Sequence, residues 1–177
     1  TAVRSAVDLL LEAEAPVILA GTGVDWAGAR VEVRELAELL SLPVAVSYTA
    51  KGVFPETHPL ALGCLGFGSR PYSRKFFQGA DLILALGATF SEGTTMRFGH
   101  EIIPANAKIV QIDIDPDELG SNYPTALSIQ ADAKVALRAM IDELRKRQSK
   151  PAGKSSRAEA IQQAKEAWKN EVERKPA

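Results

Sequence analysis

Residues 17–28 read VILAGTGVDWAG, an apolar run that ends in a glycine–threonine–glycine turn. The run Val17–Ala20 is wholly apolar, as expected for a strand that is buried on both faces of a parallel sheet. Gly21 and Gly23 then flank Thr22, and a helix start follows them. Such a turn either holds the phosphate of a dinucleotide or makes a tight corner between strand and helix. The stretch predicts a parallel α/β sheet and leaves the role of the turn open.

The alternation of strand and helix continues along the chain. Apolar residues recur at helical spacing over Ala133–Arg147, which predicts an amphipathic helix. The most regular apolar run, Asp81–Leu86, ends at a glycine as the first strand does. This alternation indicates βαβ units and a doubly wound, mainly parallel α/β sheet. The predicted strands are 17–20, 43–46, 81–86, 108–114 and 127–130; the predicted helices are 1–15, 27–40, 70–78, 133–147 and 157–174, with a helical turn at 116–119 and loops over 47–68 and 88–106.

Composition and charge place the chain among ordinary globular proteins. Of its 177 residues, 46% are hydrophobic and 24% are charged, which allows a sizeable core. The 21 basic and 22 acidic side chains nearly cancel, so no overall field would attract nucleic acid or an anionic membrane. No apolar run approaches the ~20 residues of a membrane-spanning helix. The single cysteine, Cys64, cannot form an internal disulfide, and we expect a reducing, cytoplasmic location.

The chain is expected to divide near its C-terminal end. Residues 1–148 contain every predicted strand, whereas 149–156 (SKPAGKSS) have the composition of a linker. The helix beyond has few large apolar side chains, so we expect 149–177 to be a linker and a charged helix that leads into a following domain. Trp26 and Trp168 are expected to be packing residues, Trp168 against that domain. The sequence lacks an initiator methionine, and we expect it to be a piece of a longer chain.

Small and polar residues follow three of the predicted strands. They are Gly21–Gly23, the stretch Gly87-Ala88-Thr89, and the stretch Asp113-Ile114-Asp115. In an open parallel sheet, ligands bind at the carboxyl ends of the strands, where glycines let a ligand approach the backbone. We therefore expect the three strand ends to converge on one cleft. The glycine turn lacks the third glycine of the dinucleotide pattern, because position 26 is tryptophan, so a plain tight turn is an equally good interpretation.

Several polar residues have simpler structural explanations. Asp115 precedes a proline, so it could contact the adenine of a nucleotide or be a helix N-cap, and we favour the cap. Asp132 precedes the predicted helix at 133 and would cap it in either case. His58 and His100 are expected to lie in loops, with no acidic partner that would make either a base. Cys64 lies in a crowded apolar context, which favours buried packing over nucleophilic chemistry.

The order of five sequence blocks resembles the central domain of thiamine-diphosphate-dependent enzymes, in particular acetolactate synthase-like large subunits. The blocks, from about residue 14 to residue 144, are APVILAGTGV, LAELLSLPVAVSYTAKGVFPETHPLALGCLG, ADLILALGATFSE, KIVQIDIDPDELG and QADAKVALRAMIDEL. The resemblance implies a six-stranded Rossmann-like sheet within a carboligase or decarboxylase that acts on 2-keto acids. It also implies a pyrimidine-binding domain before this one, a pyrophosphate-binding domain after it, and a homo-oligomeric parent enzyme.

The same resemblance implies that the catalytic and metal-binding groups belong to the flanking domains. The activating glutamate lies in the first domain of such enzymes, and the metal-binding Gly-Asp-Gly lies in the third. Gly-Asp-Gly does not occur in this sequence. Thiamine diphosphate and Mg²⁺ are therefore expected in the parent enzyme but not on this chain, which should have no catalytic and no metal site of its own.

In this family the central domain holds FAD in some members, ADP or a coenzyme A moiety in others, and no nucleotide in the rest. Asp113 would contact the ribose. An alternative to the enzyme domain is a stand-alone regulatory module that binds FAD, ADP or coenzyme A. With Gly21 and Gly23 of the turn, the cofactor-lining positions implied are Ser47, Tyr48, Leu65, Gly66, Phe67, Gly87, Ala88, Asp113, Ile114 and Asp132.

Two departures from the FAD-binding pattern concern the grip on the diphosphate. The segment after Gly87-Ala88 reads Thr-Phe-Ser-Glu-Gly, without the arginines found there in FAD-binding members. The pair Phe67-Gly68 replaces an aromatic or methionine followed by histidine. Each lost guanidinium would remove charge-assisted hydrogen bonds of ~1.5–3 kcal/mol. Arg70 or Arg97 could take their place.

Overall fold

The structure, a computed structural model, describes residues 1–147 and 154–174. It contains a six-stranded sheet and seven α-helices within these residues. The strands are β1 (Pro16–Ala20), β2 (Val44–Val46), β3 (Ala61–Cys64), β4 (Leu82–Leu86), β5 (Lys108–Asp113) and β6 (Leu127–Gln130). The helices are α1 (Ala2–Glu12), α2 (Thr22–Trp26), α3 (Arg30–Leu40), α4 (Pro71–Gln78), α5 (Glu92–Thr95), α6 (Ala133–Lys146) and α7 (Lys154–Glu173), with 3₁₀ turns at Tyr48–Ala50 and Pro116–Glu118.

The sheet has the order β3-β2-β1-β4-β5-β6, and every neighbouring pair is parallel. This confirms the predicted doubly wound, Rossmann-like α/β fold. All residues of β1 and β4 are buried, so helices cover both faces of the central strands. From β1 the chain adds β2 and β3 on one side, and from β4 it adds β5 and β6 on the other side. Ligands bind at the point between β1 and β4 where the order of the strands reverses in folds of this type. Ala20 pairs with both Val46 and Leu86, and Leu86 pairs with Ile112, so the four central strands end level at one edge.

The structure differs from the sequence-based expectations at two main places. Strand β3 lies inside the predicted loop 47–68; it is a four-residue edge strand with a glycine in it, and no periodicity marks it. The helix predicted over 27–40 begins only at Arg30, as α3, and a separate short helix, α2 (Thr22–Trp26), precedes it where the glycine turn was predicted. Gly28 separates them with a φ of +60°, a left-handed conformation that ends a helix.

Helix α7 packs against α4, and this packing places Trp168 next to residues at the start of α4. The indole lies 6.2 Å from the Tyr72 ring, and the Arg70 guanidinium lies 4.7 Å from its centroid. Trp168 therefore packs within the described residues, and its expected contact with a following domain stays a prediction. Arg157, also on α7, donates to the carbonyl oxygens of Glu14 and Leu40. The predicted linker lies largely outside the described residues.

An ion pair between the buried Glu32 and the half-exposed Arg138 connects α3 and α6. Glu32 is 1% exposed, and its Oε1 accepts from Arg138 Nε at 3.1 Å, with Arg138 Nη2 at 3.0 Å. Lys134 lies 3.9 Å from the same oxygen, and Arg138 also reaches Glu35 at 3.0 Å. The pair fixes how the two helices sit over the same face of the sheet. Within the described residues, no helix is both long enough and apolar enough to cross a bilayer.

Candidate functional site

The three predicted strand ends lie side by side at the carboxyl edge of the sheet. They follow β1, β4 and β5, which are neighbours in the strand order. Gly23, Gly87 and Asp113 line one cleft of about 190 Å³, so the strand ends do converge. The cleft is smaller than the ~300–1,000 Å³ of pockets that enclose a drug-sized ligand. Its full lining is Gly23, Trp26, Ala27, Gly87, Asp113, Ile114, Ala131, Asp132 and Ala133.

The glycine turn after β1 packs directly on the turn after β4. A Cβ atom on Gly21 would lie 2.0 Å from the Gly87 carbonyl oxygen, and one on Gly87 would lie 2.5 Å from Gly23 Cα. Gly87 also has a φ of +52°, which favours glycine. The Gly21 N–H donates to Leu86 O at 2.8 Å, and the Gly23 N–H donates to Gly87 O at 3.1 Å. These glycines are therefore needed for contact between two backbones, and these N–H groups are already bonded within the protein.

A second pair of turns makes the same kind of contact after β3. Gly66 has a φ of +104°, and a Cβ atom there would lie 1.9 Å from the Gly93 carbonyl oxygen. The Phe67 N–H donates to the same carbonyl at 3.1 Å. Gly66 thus has a structural reason to be glycine that involves no ligand.

The remaining predicted positions share the carboxyl edge but do not line the cleft. Ser47 and Tyr48 follow β2, and Leu65 and Phe67 follow β3. Leu65 and Ala88 are fully or almost fully buried, so their side chains are covered by the protein itself. Tyr48 and Phe67 are more than half exposed. Of the predicted cofactor-binding residues, those brought into the cleft are Gly23, Gly87, Asp113, Ile114 and Asp132.

The two charged side chains that line the cleft, Asp113 and Asp132, are both acidic, and no lysine or arginine lines it. Asp113 is 9% exposed, and its Oδ1 accepts from the Asp115 N–H at 3.1 Å. Asp132 accepts from the Val135 N–H at 3.0 Å, the N-cap bond predicted for α6. The pKa of Glu118 is raised by burial and then by the carboxylates of Asp113, Asp115 and Asp117. The cleft therefore suits hydroxyl donors such as those of ribose and disfavours a diphosphate.

Neither arginine proposed as a replacement diphosphate ligand reaches the cleft. Arg70 lies over the Trp168 ring and donates to the Tyr72 hydroxyl at 3.2 Å. Arg97 follows α5 in a left-handed conformation, with a φ of +68°. Because neither lines the cleft, the arrangement gives no support to the suggestion that one of them replaces the missing diphosphate ligands.

The prediction that Trp26 is a packing residue is wrong, because the side chain is largely exposed. It is 85% exposed at the end of α2 and lines the cleft together with Ala27. The sequence held a signal for this position, because Trp26 occupies the slot of the third glycine in the dinucleotide pattern.

His58 has an acidic partner that the sequence reasoning missed. Its Nε2 lies 3.1 Å from Glu38 Oε1, a residue 20 positions earlier, and its Nδ1 accepts from the Leu60 N–H. Since Nδ1 is an acceptor, Nε2 carries the proton and donates to Glu38. His100 contacts the Ile103 carbonyl through Nδ1 at 3.0 Å. Both histidines hold loop backbone in place, as predicted.

Two further predictions concern Cys64 and Asp115. Burial raises the pKa of the Cys64 thiol, which disfavours the thiolate and agrees with a packing role. Asp115 Oδ1 accepts from the Asp117 N–H at 3.0 Å, which confirms the predicted N-cap. Over residues 1–147 and 154–174, no three side chains of histidine, cysteine, aspartate or glutamate are grouped so that they could hold a metal ion.

Comparison with known protein families identifies the fold. A family described as "Thiamine pyrophosphate enzyme, central domain" matches residues 3–140. The chain belongs to this family. A thiamine pyrophosphate enzyme central domain is what the ordered sequence blocks resembled, and the six-stranded sheet agrees with it.

The names of the individual relatives give two activities, sulfoacetaldehyde acetyltransferase and acetolactate synthase. Sulfoacetaldehyde acetyltransferase of Roseovarius nubinhibens is 37% identical over 175 residues, covering 97% of this chain and 28% of the relative. A probable acetolactate synthase large subunit of Methanocaldococcus jannaschii is 39% identical over 142 residues, covering 80% and 24%. Probable acetolactate synthase 2, chloroplastic, of Oryza sativa is 36% identical over 169 residues, covering 96% and 24%. The chain thus spans about a quarter of the length of these relatives.

A nucleotide at the carboxyl edge of this central domain would meet only part of the contacts it needs. Asp113 offers a ribose hydroxyl a carboxylate acceptor in the cleft. The diphosphate of FAD or ADP meets no cation there, and the Gly21 and Gly23 N–H groups are already bonded within the protein. The residues present therefore fit a ribose and do not fit a diphosphate.

Proposed function

We propose that this chain is the central domain of a thiamine-diphosphate-dependent carboligase or decarboxylase that acts on 2-keto acids such as pyruvate. The observation that carries the proposal is the family match over residues 3–140, together with relatives named as acetolactate synthases and acetyltransferases. These names fit one chemistry, in which a two-carbon unit is transferred to an acceptor. The chain itself supplies no catalytic residue to that reaction.

The role of the domain within the enzyme is that of a scaffold with a nucleotide-like cleft. Close backbone contact between Gly21 and Gly87 supports the scaffold role, since it fixes two strand ends against each other without any ligand. The acidic lining of the cleft counts against tight binding of FAD or ADP by this chain alone. It counts equally against a stand-alone FAD-, ADP- or coenzyme A-binding module.

The partners proposed are the pyrimidine- and pyrophosphate-binding domains of the same chain, within a homo-oligomer. Two observations support this. The relatives are about four times as long as the part that matches. Large apolar side chains are also exposed around the carboxyl edge, among them Trp26, Ile114 and Val135, where a neighbouring domain could cover them.

The test uses the 177-residue chain and the longer protein that contains it. We expect that the chain alone does not bind thiamine diphosphate with Mg²⁺ in calorimetry and does not consume pyruvate. The longer protein should bind the cofactor and consume pyruvate. The absence of a Gly-Asp-Gly domain from the longer protein, or turnover by the isolated chain, would refute the proposal.

A further inference from the structure

A second cavity, of about 220 Å³, lies between the segment before β3, helix α4 and helix α7. It borders the edge strand β3 and shares no lining residue with the carboxyl-edge cleft. Its walls combine cationic and aromatic side chains. The lining residues are Glu56, Ala61, Gly63, Arg70, Tyr72, Lys165, Trp168 and Lys169.

The charges around this cavity do not balance. Arg70, Lys165 and Lys169 are cationic, and Glu56 is the one acidic side chain in the lining. Glu56 is itself 4.0 Å from the Nζ of Lys51, which offsets its charge. The whole chain carries a formal charge of −1, so this excess of positive charge is local.

Arg70 is held in one orientation by aromatic side chains. Its guanidinium lies 4.7 Å from the centroid of Trp168, a cation–π contact. Its Nη1 donates to the Tyr72 hydroxyl at 3.2 Å, and Tyr72 is 5% exposed. The other guanidinium N–H groups have no hydrogen-bond partner among the described residues. A planar fork fixed on an aromatic face is an efficient donor to an oxyanion, because little side-chain freedom is lost on binding.

Lys165 is a partly buried cation whose favourable interaction with Glu56 is smaller than the effects of burial and of Arg70. It makes no ion pair or hydrogen bond within the described part of the chain. Burial, and after it the charge of Arg70, lowers the pKa of its amine, and Glu56 compensates only in part. Lys169 also lines the cavity but has a partner, Glu173 at 3.8 Å. An anion placed between Arg70 and Lys165 would relieve the repulsion between them.

We propose that this cavity binds a small oxyanion of the phosphate class, which receives hydrogen bonds from the Arg70 guanidinium and the Lys165 ammonium group. The volume is below the ~300 Å³ at which pockets begin to enclose drug-sized ligands, so a single tetrahedral anion fits better than a nucleotide. The site would couple anion binding to the docking of α7 on α4.

The test is thermal unfolding of the 177-residue chain with increasing inorganic phosphate, against sodium chloride at matched ionic strength. A ligand that binds only the folded state raises Tm in a saturable way. We expect phosphate to do so and chloride not to. The variants Lys165→Gln and Arg70→Gln should bind phosphate at least tenfold more weakly. Lys75→Gln removes the same charge from exposed α4 surface outside the cavity, and it should respond as the parent sequence does.

A second readout covers the case in which a variant unfolds. In a Trp26→Phe background, Trp168 is the remaining tryptophan, and phosphate next to Arg70 should change its fluorescence with the same midpoint. A phosphate effect equal to that of chloride would overturn the proposal. So would equal responses of Lys165→Gln and Lys75→Gln, or a fluorescence signal that does not saturate.

Discussion

Gly21 and Gly87 stand so close that a Cβ atom on Gly21 would lie 2.0 Å from the carbonyl oxygen of Gly87. The turn after β1 is therefore a corner whose glycines make room for the corner of the neighbouring strand. The two interpretations open at the sequence level are separated by this contact. The glycine-rich turn is required by the fold, and its presence does not by itself indicate a phosphate site.

The first prediction concerns this contact. Gly21→Ala should lower the free energy of unfolding by about 3 kcal/mol or more, because overpacking against backbone cannot be relieved by a rotamer change. Gly93→Ala is the matched control, since a Cβ atom there meets no atom within 4 Å. It should change stability by less than about 0.5 kcal/mol. Urea unfolding of both variants measures the difference, and equal effects would contradict the close contact.

The second prediction concerns Glu32 and Arg138. Arg138→Ala should cost about 3 kcal/mol, because it leaves the carboxylate of Glu32 buried and without its main partner. Replacing both residues, as Glu32→Met with Arg138→Leu, should restore most of that loss, since Glu32 Oε2 has no hydrogen-bond partner among the described residues. The free energy of unfolding in urea provides the measurement.

Arg34→Ala is the control for this pair. Arg34 lies 3.9 Å from Glu38 on an exposed part of α3, and the substitution should cost less than about 1 kcal/mol. A double variant no more stable than Arg138→Ala alone would show that the loss arises from side-chain packing and not from the unpaired charge.

The third prediction concerns the pH dependence that Lys165 confers. Its pKa in the folded chain lies below the ordinary value of 10.5. Between the lowered pKa of the folded chain and 10.5, the unfolded chain binds more protons than the folded chain, so the free energy of unfolding rises with pH. Below that range Lys165 is charged in both states, and the full cost of burying its charge lowers the stability. Lys165→Met should therefore stabilise the chain at pH 7, by less than about 1 kcal/mol because the group is partly solvated.

The gain from Lys165→Met should shrink as the pH approaches 10.5. Arg70, Glu56 and Lys169 face the same cavity, so the pH series is best measured without phosphate present. A gain that stays constant from pH 7 to pH 10.5 would assign the effect to added apolar packing.

The fourth prediction concerns the missing cation of the carboxyl-edge cleft. Thr89 is exposed, and it stands where FAD-binding relatives of the resembled family carry an arginine. Thr89→Arg should tighten ADP binding in calorimetry by at least tenfold, since one charge-assisted bond contributes ~1.5–3 kcal/mol. Gln163→Arg adds the same charge on the exposed face of α7 and should leave ADP binding unchanged. Equal gains from both variants would indicate nonspecific attraction.

Much of the fold could be predicted because the buried strands carry a strong signal. The runs that became β1 and β4 are wholly apolar and end at glycines, so their bounds agree with the structure to within one residue. Strand β3 was missed because an edge strand of four residues with a glycine shows neither alternation nor a long apolar run. The break at Gly28 depends on a left-handed φ, which composition alone does not reveal.

The sequence predicted where the cleft lies, but it did not predict which atoms meet there. Strand ends converge as the topology requires, because parallel neighbours place their carboxyl ends at one edge. That Gly21 meets Gly87 instead of a ligand depends on distances across 66 residues of sequence. The Glu38–His58 contact and the exposure of Trp26 are likewise tertiary facts. Residue type and spacing do not encode them.

Besides its apolar packing, helix α7 is hydrogen-bonded through Arg157 to backbone next to the sheet. Arg157 bonds to the carbonyls of Glu14 and Leu40, which lie just before β1 and β2. A displacement of α7 would therefore be transmitted through Arg157 directly to the segments that precede β1 and β2. In a multidomain protein, movement of a domain attached to α7 would be transmitted to the sheet through the same two hydrogen bonds.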